Sequence, residues 1–306
     1  MSHLEKVLLI VNPAARNGTA RQAAGQAATA LRARLGQDAV TVAFTAGPRD
    51  AVGIAAESEG CTTVVALGGD GVVHEVANGL MRCRPGVRPA LGVIPVGSGN
   101  DYARAIGVPT DVEAACALLC GTPPVFTDVG RVNGRYFVET LSFGVDAAIA
   151  LDTVERRART GRTGTILYAE AGIDQLTHHL VARSYRASFD GAVPQSGQSI
   201  TFAVQVGPYY GGGFRICPEA AFDDGLLDVC MSHPPVGVAR ALGIFALAKG
   251  GRHVGLRQIE LRRCGTLRVE FDEPPPAQMD GERIEAAAFD VAVEHGALRV
   301  VRSAPR

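Results

Sequence analysis

Apolar residues in the first 120 positions alternate between short continuous runs and segments with helical spacing. The runs predict strands at 6–11, 39–44, 64–67 and 90–96. The spaced segments predict helices at 19–35, 50–58, 72–80, 102–106 and 112–119. Strand and helix following each other in this way indicate a mostly parallel sheet with helices on both faces.

From residue 121 onwards the pattern changes to many short strands. They are predicted at 125–132, 135–143, 184–189, 200–206, 226–232, 258–263, 267–271 and 289–294, with helical stretches at 165–180 and 236–248. Asn133-Gly134 separates the first two strands and is a strong hairpin signal. We therefore expect an α/β domain over residues 1–124 and an antiparallel β-sandwich over residues 125–292.

Two glycine-rich turns follow the third and fourth predicted strands. The first contains Gly68, Gly69 and Gly71, and the second is Gly97-Ser98-Gly99. Turns without Cβ atoms at a helix start let backbone N–H groups approach a phosphate. Because consecutive parallel strands end at the same sheet edge, the two turns predict one nucleotide cleft. Asp70 in the first turn would repel a bare phosphate, so we expect it to face a metal ion or a hydroxyl.

Composition excludes several classes of function. The 306 residues carry a formal net charge of -1, which argues against nucleic-acid binding through bulk charge. Lysine occurs only at positions 6 and 249, and no G-x-x-x-x-G-K-[ST] segment exists. The seven scattered cysteines and the lack of a signal peptide favour a reducing cytoplasm, and no apolar run reaches the ~20 residues of a membrane span.

The motifs together resemble one family. G-G-D-G-V-V-H-E-V-A-N-G-L, P-V-G-S-G-N-D-Y-A-R and V-N-P-A-A-R are similar to the diacylglycerol kinase catalytic-domain family of lipid kinases, which includes sphingosine and ceramide kinases. G-G-G-F-R-I-C-P-E-A-A-F-D-D-G-L-L-D and M-D-G-E extend the resemblance over nearly the whole chain. It implies an ATP-binding domain at 1–124 that also includes the C-terminus from about residue 293, and a β-sandwich that takes the lipid and a metal.

The resemblance implies transfer of the γ-phosphate of ATP to a lipid hydroxyl, with diacylglycerol or a related lipid as acceptor and Mg²⁺ as cofactor. The implied ATP contacts are Asn12, Thr45, Gly68, Gly69, Asp70, Gly71, Val72, Val73, His74 and Ser98. Asp280 is the general base implied by the bacterial branch, although its Asp-Gly-Glu setting also fits a plain hairpin turn. Asp70 is the rival base, as in the eukaryotic sphingosine kinases, and Glu282 supports either arrangement.

A metal site is implied at 221–228. By resemblance, Asp224 gives its side chain, and Ala221 and Leu226 their carbonyls, to a structural Mg²⁺; an Asx turn without an ion is the alternative. The chain departs from the family pattern at Ala14-Ala15-Arg16 and at Val72, where threonine is usual. The lost hydroxyl at Val72 would weaken ATP binding by about 0.5 to 1.5 kcal/mol.

Two other functions stay open: an NAD kinase, because that family also has a G-G-D-G turn, and a non-catalytic lipid-binding module. We expect a cytoplasmic protein, peripheral to the membrane, and a homodimer is compatible with the sequence. The helix at 236–248 and the basic cluster Lys249, Arg252, His253 and Arg257 could contact anionic lipid, or the helix could belong to the core.

Overall fold

The computed structural model describes residues 4–162 and 164–303. The chain forms two compact units, the first comprising residues 1–128 and 296–306 and the second residues 129–295. The strands of the first unit are β1 (Val7–Val11), β2 (Val40–Phe44), β3 (Thr63–Gly68) and β4 (Ala90–Pro95). Its helices are α1 (Ala20–Leu35), α2 (Asp50–Ala56), α3 (Asp70–Leu80), α4 (Asp101–Ala105) and α5 (Val112–Gly121).

The sheet of the first unit is parallel, with strand order β2-β1-β3-β4. All six residues of β3 and all six of β4 are buried, as continuous apolar runs in a parallel sheet require. Beyond β4 the C-terminal segment adds a parallel contact, with Val300 opposite Leu91. The predicted α/β architecture is therefore confirmed.

Helix α3 packs closely on its neighbour α2. It buries Val72, Val73, Val76, Ala77 and Leu80. A Cβ atom at Gly79 would lie 2.4 Å from the carbonyl oxygen of Val52 on α2, so only glycine permits this approach. The helix that begins at the first glycine-rich turn is thus fixed by tight packing behind it.

In the described part of the chain, fourteen further strands and three further α-helices follow. In chain order they are β5 (Val125–Val132), β6 (Arg135–Phe137), β7 (Thr140–Gly144), α6 (Val145–Thr160), α7 (Thr165–His178), β8 (Arg183–Phe189), β9 (Gln195–Ser199), β10 (Thr201–Gln205), β11 (Tyr209–Tyr210), β12 (Phe214–Arg215), β13 (Leu227–Ser232), α8 (Val238–Ala248), β14 (Ile259–Cys264), β15 (Thr266–Phe271), β16 (Ala277–Met279), β17 (Glu282–Arg283) and β18 (Ala288–Val300). The last five residues of β18 belong to the first unit.

The second unit is an antiparallel sandwich, as predicted. One sheet has the order β14-β13-β10-β7-β16-β17, and β18, β15, β8 and β9 follow each other in the other. Aromatic rings from both sheets fill the interior: Phe143 lies 4.5 Å from Phe289 and 5.2 Å from Phe271, centroid to centroid. Such tilted ring contacts add to the stabilisation that comes from apolar burial.

The predicted hairpin at Asn133-Gly134 is confirmed. Val132 pairs with Arg135, and the φ angles of 46° and 81° at the two turn residues are those of a type I′ turn. Helix α6 and strands β9, β11, β12, β16 and β17 were not predicted. Within the described part of the chain, no helix has the length and apolar character needed to cross a bilayer.

Candidate functional site in two units

The register of the parallel sheet aligns the first set of predicted residues. Val11 pairs with both Phe44 and Leu67, so Thr45, Asn12 and Gly68 occupy equivalent positions where three adjacent strands end. The Thr45 N–H donates to the Val11 carbonyl (2.9 Å), and the Asn12 N–H to that of Leu67 (3.3 Å). These residues therefore lie side by side at the carboxyl edge of the sheet.

The two glycine-rich turns are in direct contact. The carbonyl oxygen of Gly68 accepts hydrogen bonds from the N–H groups of Val96 (2.9 Å) and Gly97 (3.1 Å). A Cβ atom at Gly97 would lie only 2.3 Å from the Cα of Gly69, and one at Gly68 would lie 2.3 Å from Cγ1 of Val72. A side chain at Gly97 would separate the two turns, and one at Gly68 would collide with the buried Val72 side chain, so both positions require glycine.

Asn100 closes the second turn. It has a φ of 54°, and its side chain accepts from the Gly97 N–H and donates to the Gly97 carbonyl, both at 2.9 Å. Asparagine tolerates this left-handed conformation better than most residues. Ser98, between the two glycines of this turn, is half-buried.

Asp70 is the first residue of α3, two residues earlier than the predicted start of the helix. Its Oδ1 accepts a hydrogen bond from the Tyr102 N–H (3.2 Å), at the beginning of α4. A Cβ atom at Gly99 would lie 2.7 Å from Asp70 Oδ2. The Asp70 carboxylate is thus directed at the second turn and links the two turns.

Three side chains of the predicted ATP set point into the protein. Val72, Val73 and His74 are buried, and the His74 ring lies against Asn78 (Nε2 to Nδ2, 3.3 Å). These residues can therefore serve a ligand at this edge only through their backbone. Glu75, which the sequence did not single out, accepts hydrogen bonds from the N–H groups of Arg49 and Ala51 at the start of α2.

Asp280 lies in the second unit, in a two-residue turn between β16 and β17. The φ angles of Asp280 and Gly281 are 47° and 87°. The carboxylate accepts backbone hydrogen bonds from the N–H groups of Val138 (2.8 Å), Glu139 (3.1 Å) and Thr140 (2.9 Å). These bonds fix the carboxylate against the start of β7. Glu282, next along the hairpin, forms an ion pair with Arg135.

The predicted metal turn contains an Asx turn: Asp224 Oδ1 accepts from the Leu226 N–H (3.1 Å). Arg263 lies beside it, with Nη1 4.0 Å from Asp224 Oδ2 and Nε 2.9 Å from Asp228 Oδ1. Burial raises the pKa of Asp228, and its Oδ2 is buried without a hydrogen-bond partner. The oxygen donors suit a hard cation, while the guanidinium of Arg263 already supplies positive charge; within the described residues, no three His, Cys, Asp or Glu side chains group as a metal site.

An apolar cavity in the second unit carries groups that the sequence did not reveal. It lies between α6, α7 and α8 on one side and β10 and β13 on the other, and its volume is about 70 Å³. Ala241, Ile244 and Phe245 of α8, the helix for which both membrane contact and a place in the core were left open, line this cavity. Asp146, Cys230 and His253 lie on its wall. They are far apart in sequence and belong to no motif, so only the fold brings them together.

Two polar groups of the cavity, Asp146 and Cys230, have shifted pKa values. Burial raises the pKa of Asp146 to about 7, against a smaller opposing effect of a hydrogen bond from Ser142, and the Tyr210 hydroxyl donates to Asp146 Oδ1. A hydrogen bond from Cys217 lowers the pKa of Cys230, and His253, with Nε2 3.8 Å from Cys230 Sγ, acts in the same direction. The cavity therefore combines apolar walls with a small titratable cluster.

Comparisons with known proteins match both halves of the chain. Residues 6–132 match the model of the diacylglycerol kinase catalytic domain, and residues 139–302 match that of the YegS C-terminal NAD kinase beta sandwich-like domain. A Pseudomonas aeruginosa protein named "Probable lipid kinase YegS-like" is 32% identical over 302 residues, covering 97% of this chain and 94% of that protein. The diacylglycerol kinase of Bacillus subtilis is 31% identical over 222 residues, 72% of this chain and 70% of that protein.

Solved structures show the same fold. The structure of a diacylglycerol kinase from Bacillus anthracis superposes with a TM-score of 0.74 at 22% identity, covering 98% of this chain and 97% of that one. An NAD kinase from Archaeoglobus fulgidus is more distant, with a TM-score of 0.50 and 11% identity over 97% of this chain and 93% of that one. From the sequence and domain matches together, the chain belongs to the family of lipid kinases that join a diacylglycerol kinase catalytic domain to a YegS-like β-sandwich domain.

Proposed function

We propose that this protein transfers the γ-phosphate of ATP to the hydroxyl of a membrane lipid, diacylglycerol or a close relative of it. The observation that carries the proposal is the contact between the two glycine-rich turns at the carboxyl edge of the parallel sheet, in a chain of a lipid kinase family. Ligands of open α/β sheets bind at this edge. Diacylglycerol is favoured because the B. subtilis relative is named a diacylglycerol kinase.

In this proposal the phosphates of ATP lie over the glycine-rich turns. Backbone N–H groups at the start of α3 and the positive end of that helix attract the anion. Asn12, Thr45 and Ser98 add polar side chains from neighbouring strand ends. Val72 stands where threonine is usual in the family. Because the Val72 side chain is buried, valine at this position removes a hydroxyl without exposing apolar surface.

Asp280 is the proposed general base, which takes the proton of the attacking lipid hydroxyl. Its support is its place in the Met279-Asp280-Gly281-Glu282 motif of the family, and three backbone N–H groups with the Glu282–Arg135 ion pair hold the turn in one geometry. Asp70 is the proposed group that orders the nucleotide turns. Its hydrogen bond to the Tyr102 N–H suits that role better than proton abstraction.

A structural Mg²⁺ is proposed at the turn of Asp224, with the carbonyls of Ala221 and Leu226. It would supply fixed positive charge that holds the 221–228 turn together. The guanidinium of Arg263 already pairs with Asp224 and Asp228. We therefore expect Mg²⁺ and Arg263 to compete for these carboxylates to a measurable extent. Calorimetric titration of the protein with MgCl₂, repeated with Asp224→Asn, tests this site independently of catalysis.

The test of the reaction uses purified protein with Mg²⁺ and γ-labelled ATP. Vesicles carry diacylglycerol, sphingosine, ceramide or phosphatidylglycerol, and NAD serves as a soluble comparison. Label in diacylglycerol alone supports the proposal in full, and label in another lipid replaces only the acceptor. Label in NAD alone favours an NAD kinase, and the absence of any transfer favours a non-catalytic lipid-binding protein.

A further inference from the structure

Helix α8 has one face on the apolar cavity and another on the solvent. Ala241, Phe245 and Ala248 line the cavity from its inner side. Its outer side is exposed at four residues without polar side chains: Val238, Ala239, Gly243 and Ala246. The helix therefore covers the cavity as a single layer, with apolar residues on both of its sides.

Helix α7 extends this apolar outer surface. A Cβ atom at Gly172 of α7 would lie 2.4 Å from Cζ of Phe245 on α8, so the two helices are in close contact. Ile166 and Ile173 of α7 are 67% and 53% exposed. They are seven residues apart and therefore lie on the same face of the helix. We call the exposed residues Ile166, Ile173, Val238, Ala239, Gly243 and Ala246 the outer helical face. Large apolar side chains exposed together on adjoining helices indicate a surface for a partner.

Positive charge without nearby carboxylates surrounds α8. Residues 229–259 contain no aspartate or glutamate, and their cations are Arg240, Lys249, Arg252 and Arg257. Arg252 and Arg257 are exposed, and neither forms an ion pair within the described residues. The Arg252 N–H donates to the Leu247 carbonyl (3.0 Å) at the end of α8. Gln258, the neighbour of Arg257, accepts from Arg240 Nη2 (3.0 Å) on α8. Both free cations are thus held close to this helix.

The acidic residues of α7 do not cancel this charge. Glu170 pairs with Arg162 (2.6 Å), and Asp174 pairs with Arg156. Residues 145–178 and 229–259 together contain eight arginines and lysines but only five aspartates and glutamates. The layer of α6, α7 and α8 therefore combines an apolar outer surface with an excess of positive charge, the combination that binds the interface of an anionic bilayer.

We propose that the outer helical face docks on a bilayer that contains anionic lipid, with Ile166 and Ile173 in the interface and Arg252 and Arg257 against the lipid phosphates. A second copy of the chain fits this face less well, because a two-fold interface would bring the same cations together. The inference rests on the proposed lipid kinase function for its purpose. Docking in this orientation leaves α8 as the single layer between the bilayer and the cavity.

Docking is measured without ATP, by flotation of the protein with vesicles of phosphatidylcholine alone or mixed with phosphatidylglycerol. The wild type is expected to bind the mixed vesicles and not the neutral ones, and added KCl should weaken binding by screening the charges. The double variants Ile166→Ser/Ile173→Ser and Arg252→Gln/Arg257→Gln should each weaken binding about tenfold or more. Thermal unfolding establishes that each variant is folded.

Matched controls lie on the other sheet of the sandwich. Val193, 84% exposed, belongs to the turn between β8 and β9, and Val193→Ser removes apolar surface there. Tyr185 packs against Phe202 inside the sandwich (5.4 Å), so its neighbour Arg186 points away from the helices. Arg186→Gln/Arg268→Gln removes two charges from that side, since Arg268 is exposed on the adjacent strand β15. Both controls should bind anionic vesicles within about twofold of the wild type.

Turnover separates docking from catalysis. In both double variants of the outer helical face, phosphorylation of a long-chain acceptor in anionic vesicles should fall in parallel with binding, while phosphorylation of short-chain dioctanoylglycerol in solution should stay within about twofold of the wild type. Equal losses of binding in the controls would overturn the docking surface, as would wild-type binding that does not depend on phosphatidylglycerol.

Light scattering without vesicles tests the other occupant of this face. A dimer that Ile166→Ser/Ile173→Ser dissociates would assign the face to a second copy of the chain and overturn the proposal. If the protein binds anionic vesicles through this face but phosphorylates no lipid, the docking surface stands and the kinase proposal fails. If it phosphorylates lipid while both double variants bind vesicles like the wild type, the kinase proposal stands and the docking surface fails.

Discussion

Two aspartates of the second unit, Asp190 and Asp280, have the same local structure. Both have φ angles near 48° and are followed by a glycine with positive φ. Each donates its own N–H to a threonine carbonyl on a neighbouring strand, Thr266 or Thr140, and accepts that threonine's N–H at Oδ1. Only Asp280 lies in a family motif. The pair shows that a carboxylate held by backbone N–H groups is a structural device first, and that catalysis must be argued from its surroundings.

The largest difference between the pair is expected in turnover. Asp280→Asn should lower kcat for lipid phosphorylation by roughly 10²- to 10⁴-fold, because it removes the proton acceptor. Asp190→Asn makes the same change to an equivalent turn and should alter kcat less than twofold. Initial rates with labelled ATP measure both. Equal effects of the two substitutions would reduce Asp280 to a structural role.

A third carboxylate, Asp146, extends the comparison to the pH dependence of folding stability. Burial raises the pKa of this carboxyl to about 7, well above the ordinary value of ~3.9 for an aspartate. The folded protein therefore keeps this proton over a range where the unfolded chain loses it. The resulting stability is complete below about pH 4 and is lost as the pH rises to about 7, by up to about 4 kcal/mol.

Asp146→Asn should flatten that part of the pH profile, which urea unfolding between pH 4 and 8 would measure. Tyr210, Cys230 and His253 face the same space, so the profile is also recorded in Cys230→Ser, where most of the slope should remain. A slope that disappears in Cys230→Ser but persists in Asp146→Asn would assign it to the thiol.

The two turn aspartates should resemble each other in stability. Each substitution by asparagine replaces a charged acceptor of several backbone N–H groups, and each should cost ~1 to 3 kcal/mol of unfolding free energy. Denaturant unfolding at pH 7 tests this. A loss confined to Asp280→Asn would mean that the hydrogen bonds of Asp190 contribute little, and that the two turns are less alike than their geometry indicates.

The smallest effect is expected at the glycines that follow. Gly191 and Gly281 have φ angles of 72° and 87°, and an added Cβ would meet no atom within 4 Å at either. Alanine at each position should therefore cost only the left-handed backbone strain, ~1 to 2 kcal/mol, and equally in both. Unequal costs would show that one turn relaxes where the other is constrained.

Much of the fold follows from local patterns, and the exceptions have physical reasons. The strands of the first unit and the turn at Asn133-Gly134 were predicted because their apolar runs and turn residues are local signals. Helix α6 was missed because its second half is rich in charged residues and it begins directly after a strand. Strand β9 was missed because Gln195–Ser199 contains no apolar side chain.

The residues of the candidate site likewise divide into those with a local sequence signal and those without one. Glycines in a strand–turn–helix pattern can be recognised because each acts on its immediate neighbours, and the structure places Gly68 and Gly97 in contact as consecutive strand ends imply. The group of Asp146, Tyr210 and His253 has no sequence signal. Its members are separated by 64 and 43 residues of chain, and only strand register and helix packing bring them to one cavity.

The return of the C-terminus to the first unit has a consequence for synthesis. Val300 pairs with Leu91, the Val301 N–H donates to the Leu91 carbonyl (2.9 Å), and Ser303 bonds to Gly107. A ribosome translates the nucleotide turns well before this segment, which follows them by about 200 residues. One edge of strand β4 therefore has no pairing strand while about 200 further residues are translated, at ~5 to 20 residues per second. For tens of seconds the nascent chain therefore exposes an unpaired strand edge, which needs protection from aggregation, in the same sheet that carries the glycine-rich turns.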